Sequence, residues 1–362
     1  MSPPPDLVTV PLAALKGRGS ATRLAHRYEQ LGREPFDDGW AQQDEALAPP
    51  ATTWVWEDAK SAITRNRSPD VGFDLSINPY RGCEHGCSYC YARPSHSHLG
   101  LSPGLDFETR LIAKRGLTER LIHELASPRY RPGLMAVGTV TDAYQPLERE
   151  LGLTRELLQV LHDCRHPVAI VTKGSGIERD IDLLAPMAGR HLAGVYVTVT
   201  TLDAALARRM EPRAPAPWRR LRTIRALAEA GIPVGVSVSP QIPFLNDDME
   251  QVLQAAREAG ARSAFYVVLR LPWELSPLFR QWLQLHYPER AERVMARIHD
   301  LRGGKDYDAD WATRRSGQGL WAALIAQRFA KACQRLGLNR PAHPGVVEDF
   351  RPPSRSRQLG LF

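Results

Sequence analysis

From residue 73 onward, the chain alternates short apolar, β-branched runs with segments whose apolar residues recur at helical spacing. Such runs are typical of strands buried on both faces, and the segments between them are typical of helices that cover a sheet. The strands are predicted at 73–78, 134–140, 168–172, 195–200, 234–238 and 264–269. Six strand–helix units favour a parallel sheet and are too few to close an eight-fold barrel. The sequence therefore predicts an α/β fold, a six-fold (β/α) partial TIM barrel.

Three regions flank this barrel, which we place at residues 71–275. Residues 1–70 have weak periodicity and predict an irregular, basic N-terminal arm with a flexible loop at Lys16–Ser20. Amphipathic helices predicted at 279–297 and 319–336 form a C-terminal helical extension over 276–338. The Pro- and Arg-rich residues 339–362 predict a disordered tail.

The bulk properties indicate a globular protein of a reducing compartment. The chain has 362 residues and only five cysteines, so it needs no disulfide framework to be stable. It lacks a run of 18 apolar residues and a basic signal-peptide region, so we expect no membrane span and a cytoplasmic location. The net charge of +7 favours a polyanionic partner, although an Arg-rich proteome is an equally simple explanation. Arginine is concentrated at 208, 209, 213, 219, 220, 222 and 225.

Three cysteines lie close together in the loop after the first predicted strand. Cys83, Cys87 and Cys90 have the spacing C-x3-C-x2-C. Thiolates at this spacing suit three irons of a [4Fe–4S] cubane and leave the fourth iron without a protein ligand. A zinc site and three unliganded thiols are the alternatives. The candidate fourth ligands for zinc are His85, His96 and His98.

The cysteine loop resembles the C-x3-C-x-aromatic-C signature of the radical S-adenosylmethionine (SAM) superfamily, with Tyr89 at the aromatic position. The resemblance extends over roughly residues 73–272. Within the superfamily the chain is most similar to the spore photoproduct lyase-like branch of DNA-repair enzymes. The segments that carry this similarity are Arg81–Arg93, Thr141–Pro146, Val171–Gly174 and Glu211–Pro215. The resemblance implies a [4Fe–4S] cluster, SAM, reductive cleavage of SAM and hydrogen abstraction from a substrate by a 5′-deoxyadenosyl radical.

The resemblance also assigns residues to SAM. Tyr89 marks the neighbourhood of the adenine, Thr141 and Asp142 the amino group, and Lys173 the carboxylate, with Thr198 and Gln241 at later strand ends. Simpler interpretations stay open. Asp142 could cap a helix, Lys173 could be a solvated surface lysine, and Thr198 could be an ordinary strand residue.

No catalytic side chain is assigned by the sequence. In the sequence, Tyr80, Tyr91 and Tyr144 lie near the segments assigned to the radical site. Each could relay a hydrogen atom or could be a packing residue. Thr139 stands where the lyase has the cysteine that quenches the product radical, and a hydroxyl is a poor hydrogen-atom donor. The resemblance therefore does not imply that this chain catalyses the lyase reaction.

The functional hypothesis is a lyase-like radical SAM enzyme with an unknown substrate, of which damaged DNA is the first candidate. The alternatives are radical modification of a peptide, protein or small molecule, and a non-catalytic iron–sulfur protein that binds DNA. We expect an electron donor such as flavodoxin or ferredoxin. The C-terminus also resembles the peptide by which bacterial repair proteins bind the DNA sliding clamp, which makes the clamp a predicted partner. The predicted clamp contacts are Gln358, Leu359, Leu361 and Phe362.

Overall fold

The computed structural model describes residues 13–29, 50–339 and 347–353. All six predicted barrel strands are present, as β3 (Leu75–Ile77), β6 (Met135–Val137), β7 (Val168–Thr172), β8 (Ala193–Thr198), β9 (Val234–Gln241) and β10 (Ser263–Val268). Each pairs with the next in parallel, as right-handed βα units require. The short strand β2 (Thr64–Arg65) adds to β3 in antiparallel fashion. Since the two edges, β2 and β10, do not pair, the sheet is an open partial barrel, as predicted.

A second, three-stranded sheet corrects the prediction for the N-terminal arm. Strand β1 (Thr53–Asp58) pairs in parallel with β5 (Arg110–Arg115), which also pairs with β4 (Tyr80–Arg81). The prediction of an irregular arm is therefore wrong for this segment, because its partner strand lies more than fifty residues away along the chain. The arm is also not basic overall, since residues 1–70 hold eight Lys and Arg against ten Asp and Glu.

Helices cover the outside of the sheet. Those within the barrel region are α1 (Leu105–Thr109), α2 (Leu117–Leu125), α3 (Glu148–Leu151), α4 (Leu153–Asp163), α5 (Ile181–Gly189), α6 (Ala204–Met210), α7 (Pro217–Glu229) and α8 (Met249–Glu258). Two 3₁₀ helices, Arg93–Leu99 and Ser175–Asp180, follow the cysteine loop and β7. Leucines at helical spacing in α4 are buried against the sheet, which is the packing that their periodicity predicts.

The C-terminal extension contains three helices instead of the two predicted. The segment expected as one helix divides into α9 (Leu275–His286) and α10 (Pro288–Leu301), because Pro288 begins a new helix and its ring cannot continue the old one. Helix α11 (Gly319–Leu336) has the predicted bounds. Its predicted apolar face is only partly buried, since Ile325 is in the core while Leu320 is 83% exposed.

Two packing features of the C-terminal part bear on function. Apolar residues of α9 and α10, among them Phe279 and Trp282, pack with Cys87 and Tyr89 of the cysteine loop. Phe350, in the predicted disordered tail, packs against Tyr130 and His166 with ring centroids 5.5 Å from each. Within the described part of the chain, no helix is long and apolar enough to cross a membrane.

Candidate cofactor site

The cysteine loop follows β3, at the carboxyl edge of the parallel sheet. Cys83 and Cys87 are buried, Cys90 is half-buried, and all three are free thiols. Burial raises the pKa of Cys83, and the neighbouring charges of Asp142, Cys87 and Cys90 raise it further. Burial also raises the pKa of Cys87 to about 12, against the opposing charge of Lys173. The three sulfurs therefore lie close enough to influence one another's pKa. Burial in this site disfavours the charged thiolate form when no cation or metal is bound.

The side chains present fit a cubane better than a single zinc ion. A cubane takes each thiolate on a different iron, so the thiolates need not converge on one point. No group of three or more His, Cys, Asp and Glu side chains converges on a single ion among the described residues. Two of the candidate histidines have a hydrogen-bond partner on one ring nitrogen: His85 Nδ1 lies 3.2 Å from Asp142 Oδ2, and His96 Nε2 lies 3.0 Å from Arg110 O. His98 lies against Tyr28, with ring centroids 5.3 Å apart.

Thr141 and Gln145, in the segment after β6, hold the backbone of the cysteine loop. The Thr141 hydroxyl donates to Gly82 O at 2.6 Å. The Gln145 side chain accepts from Glu84 N at 2.8 Å and donates to Gly82 O at 3.3 Å. Gly82 has a φ of 80°, a conformation that glycine adopts without strain, so the carbonyl can turn toward these donors.

Asp142 connects the cysteine loop to the end of β7. Its Oδ1 accepts from the Thr172 hydroxyl at 2.6 Å and from Tyr144 N at 2.9 Å, and its Oδ2 accepts from Lys173 N at 2.8 Å and faces His85. Burial alone would raise the pKa of Asp142, but these partners hold it below its ordinary value. A carboxylate has about four lone-pair sites, and the neighbours of Asp142 approach both of its oxygens, so its contact with the SAM ammonium stays a prediction. Asp142 and Thr141 thus lie at the predicted site, where their hydrogen bonds hold the cysteine loop in position.

Lys173 and Tyr89 meet beside Cys87. The Lys173 Nζ lies 5.6 Å from the centroid of the Tyr89 ring, which is cation–π distance. Burial lowers the pKa of Lys173, but the charges of Cys87 and Glu211 outweigh it and raise the pKa above its ordinary value. Lys173 is therefore a charged ammonium at the carboxyl edge of the sheet, with no salt-bridge partner among the described side chains.

A buried ion pair between Glu211 and Arg220 holds the hydroxyl end of Tyr89. The Tyr89 hydroxyl donates to Glu211 and lies 3.2 Å from the Thr200 hydroxyl. Arg220 pairs with the other oxygen of Glu211, and both side chains are fully buried. Burial raises the pKa of Glu211, but Arg220 and Lys173 lower it to about 2. Sequence reasoning did not assign a site role to Glu211, although the Glu211–Pro215 segment was part of the resemblance.

The arginine-rich stretch 208–225 does not form one phosphate-binding surface. Arg220 is the buried partner of Glu211, Arg219 pairs with Glu178 at 2.5 Å, and Arg213 pairs with Glu84 at 3.2 Å. These three arginines of the stretch are therefore paired with carboxylates within the protein. The exposed remainder are Arg208, Arg209, Arg222 and Arg225.

The other predicted cofactor residues are buried near the same edge. Gln241 donates to Val238 O at 2.8 Å, which fixes its side chain within β9. Thr198 is buried, and the Ser239 hydroxyl is buried without a hydrogen-bond partner among the residues that the structure describes. Neither observation assigns a role to Thr198 or Gln241, and their contact with SAM stays a prediction.

The three candidate tyrosines differ in their surroundings. Tyr80 donates to Glu148 at 2.5 Å and Tyr144 donates to Asp180 at 3.0 Å, so both are buried packing residues with committed hydroxyls. Tyr91 is 47% exposed, and its hydroxyl donates to the carbonyl of Thr139, the residue in the position of the lyase cysteine. Of the three, Tyr91 is the one whose ring a substrate could reach.

The N-terminal segment closes over the cysteine loop. The Glu108 carboxylate accepts from Gly19 N and Ser20 N, each at 2.9 Å, and from Arg93 at 3.0 Å. Arg93 in turn donates to Cys87 O at 2.8 Å and to Gly86 O at 3.0 Å. The prediction of a flexible loop at Lys16–Ser20 is therefore wrong for its carboxyl end, which is buried against the cysteine loop.

Comparison with known proteins gives a family match. The family model described as the Radical SAM superfamily matches residues 77–257, half of the chain. An uncharacterized protein of Mycobacterium tuberculosis is 35% identical over 240 residues, which is 65% of this chain and 70% of that protein. An uncharacterized protein of Methanocaldococcus jannaschii is 29% identical over 236 residues, 65% of this chain and 84% of the relative.

Solved structures share the fold. Spore photoproduct lyase complexed with dinucleoside spore photoproduct superposes with a TM-score of 0.50 at 15% identity, covering 83% of this chain and 80% of that chain. The similarity at this level of identity concerns the fold alone.

Proposed function

The chain belongs to the radical SAM superfamily, and from this premise we propose that it is an enzyme that cleaves SAM reductively and abstracts hydrogen from a nucleic acid. Members of the superfamily use a [4Fe–4S] cluster and SAM, which together supply a carbon-centred radical when an electron is delivered. In our proposal Cys83, Cys87 and Cys90 hold the cluster. The protein's contribution is to position the cofactors and to exclude competing reactions.

Lys173 is the residue that we assign to the SAM carboxylate. It is charged, lies at a strand end beside Cys87, and faces the ring of Tyr89. The same Tyr89 ring is held by Glu211 and Thr200, so one rigid edge presents both a cation and an aromatic surface. Thr198 and Gln241 complete this edge in the proposal, while Thr141 and Asp142 hold the loop that carries the cluster.

The observation that supports a nucleic-acid substrate is an exposed aromatic rim around Arg27, beside the 3₁₀ helix that follows the cysteine loop. Trp273, in the loop after β10, is 64% exposed, and Tyr28 is 55% exposed. Arg27 lies between them, with Cζ 4.4 Å from the Trp273 ring and 4.9 Å from the Tyr28 ring. Glu274 fixes Arg27 with two hydrogen bonds of 3.0 and 2.8 Å.

Such a rim suits an unpaired base. Exposed aromatic rings stack on bases without regard to sequence, and adjacent guanidinium groups add cation–π contacts. A base inside a duplex would have to be extruded to reach a radical formed at the cluster. A protein of this fold has been solved with a dinucleoside photoproduct bound. We therefore propose damaged DNA as the first substrate class to test.

The experiment is anaerobic reconstitution with dithionite, SAM and either damaged or undamaged DNA, followed by mass spectrometry of the SAM products and the DNA. We expect a DNA product only with the damaged strand. Trp273→Ala should weaken binding of single-stranded DNA by about 1–3 kcal/mol, while Trp218→Ala, at an exposed tryptophan of α7, should leave it unchanged. No binding of DNA at low salt, or equal loss in both variants, would contradict the substrate proposal.

The sliding clamp is a proposed partner through the C-terminus. The residues of the motif, Gln358 to Phe362, lie outside those that the structure describes. The segment just before them is anchored, since Arg351 N donates to Cys164 O at 2.8 Å and Phe350 packs on Tyr130 and His166. These contacts precede β6 and β7, at the amino edge of the sheet. A clamp bound there would leave the cysteine loop, at the opposite edge, open to substrate and to a donor such as flavodoxin or ferredoxin.

A further inference from the structure

Four arginines lie together past the carboxyl end of β10, in the loop after the strand and in the segment between α10 and α11. They are Arg270, Arg302, Arg314 and Arg315. Arg302 is buried and donates to backbone carbonyls, including Val268 O at 3.2 Å. Arg314 pairs with Asp70 at 2.5 Å. These two arginines therefore have structural roles that account for their burial.

Arg270 and Arg315 are different, because each side chain makes a single hydrogen bond and neither pairs with a carboxylate among the described side chains. Arg270 donates to the Tyr307 hydroxyl at 3.3 Å, and its Nε is buried without an acceptor. Arg315 donates only to the backbone carbonyl of Asp70. A buried donor such as the Arg270 Nε costs free energy unless an acceptor reaches it, and the exposed donors of both guanidinium groups are open to an incoming anion.

Arg270 lies against Tyr91, the residue next to Cys90. The Cζ of Arg270 lies 5.2 Å from the centroid of the Tyr91 ring. The backbone of Arg315 lies at the same strand end, because Val268 N donates to Arg315 O at 2.9 Å. Arginines from two separate segments thus lie at the strand end beside Tyr91, the one candidate tyrosine that is open to solvent.

We propose that Arg270 and Arg315 bind a phosphate group of the substrate beside Tyr91 and so set its position relative to the cluster. The inference rests on the proposed function and deepens it, since a phosphodiester is the anion that a nucleic acid would bring. A planar guanidinium matches phosphate oxygens through paired hydrogen bonds, and two of them satisfy one phosphate. A free nucleotide offers the same chemistry and is the second possible source.

The test is binding of a fluorescent single-stranded oligonucleotide, and separately of thymidine 5′-monophosphate, to the reconstituted protein over a range of salt. Arg270→Gln and Arg315→Gln should each weaken oligonucleotide binding by about tenfold or more. The slope of log affinity against log salt should fall by about 0.7 for each lost phosphate contact. Arg262→Gln is the matched control, because Arg262 is exposed at the opposite end of the same strand.

Iron content and SAM affinity should be unchanged in the variants, which separates substrate binding from cofactor binding. Arg270→Lys keeps the charge without the planar fork and should give an intermediate loss, a result that misfolding would not produce. Loss of SAM affinity in Arg270→Gln would overturn the proposal and assign the arginine to SAM.

The two sources and the two proposals are distinguishable. Oligonucleotide binding that is equal in wild type and in both Gln variants overturns this phosphate site and leaves the nucleic-acid function standing. Binding of the mononucleotide alone, lost in Arg270→Gln, supports the phosphate site and contradicts the nucleic-acid function. Binding of neither ligand by the wild type overturns both.

Discussion

The ammonium of Lys173 lies 5.6 Å above the ring of Tyr89, although the two residues come from different strand–helix units. The contact brings together the cation after the third barrel strand and the aromatic residue of the cysteine loop. Because the Tyr89 ring belongs to the loop that carries the cysteines, the Lys173 Nζ is placed to neutralise an anionic group bound near the sulfurs. This relationship is the basis of the SAM-binding prediction.

Replacing Lys173 with alanine should weaken SAM binding by about 1.5–3 kcal/mol, roughly tenfold or more, because a charged hydrogen bond is lost. Iron content should not change, since Lys173 is no cluster ligand in our proposal. Equilibrium dialysis with labelled SAM measures the effect, with Lys331→Ala on the exposed face of α11 as the control. Wild-type affinity in Lys173→Ala would remove Lys173 from the site.

The contact of Gly19 with the cysteine loop gives a second prediction. A Cβ at Gly19 would overlap the carbonyl oxygen of Gly86, so Gly19→Ala should displace the N-terminal segment at a cost of about 1–3 kcal/mol. The loop should then retain less iron after gel filtration. Gly72→Ala is the control, because a Cβ there meets nothing within 4 Å. Equal iron in both variants would show that the segment does not support the loop.

The Arg220–Glu211 pair should contribute strongly to stability. Arg220→Met leaves a buried carboxylate beside Tyr89 without its main partner, and we expect a loss of about 3–5 kcal/mol in the free energy of unfolding. Arg328→Met breaks the half-exposed pair with Glu250 and should cost about 1 kcal/mol or less. Urea unfolding of the cluster-free protein measures both, and similar losses would contradict the assigned burial.

The sequence was sufficient to predict what depends on local pattern. Each barrel strand is a short apolar run, and each was found; the bounds of α11 also followed from its periodicity. The contacts that fix the site were not predictable, because they join distant segments. Gly19 N donates to the Glu108 carboxylate, which is 89 residues away along the chain, and the local sequence around neither residue predicts this hydrogen bond. Asp142 was predicted as a SAM ligand from its strand end, but its hydrogen bonds depend on where His85 and Thr172 lie in three dimensions.

The C-terminal motif gives a prediction that is independent of the barrel. A peptide covering residues 351–362 should bind a bacterial sliding clamp with micromolar affinity, because Leu359, Leu361 and Phe362 suit an apolar groove. Substituting both Leu361 and Phe362 with alanine should abolish binding in a calorimetric titration. Equal binding by the two peptides would end the clamp hypothesis without affecting the proposed chemistry.

The central claim is that three cysteines hold a cluster at which SAM is cleaved. The most direct measurement is 5′-deoxyadenosine formation after anaerobic reconstitution with dithionite and SAM, together with iron per chain. Wild type should contain about four irons and form the product, and alanine at Cys83, Cys87 or Cys90 should abolish it. Alanine at the buried Cys164 or Cys333 should leave the product unchanged. Stoichiometric zinc in place of iron, or no 5′-deoxyadenosine from the iron-loaded wild type, would contradict the account.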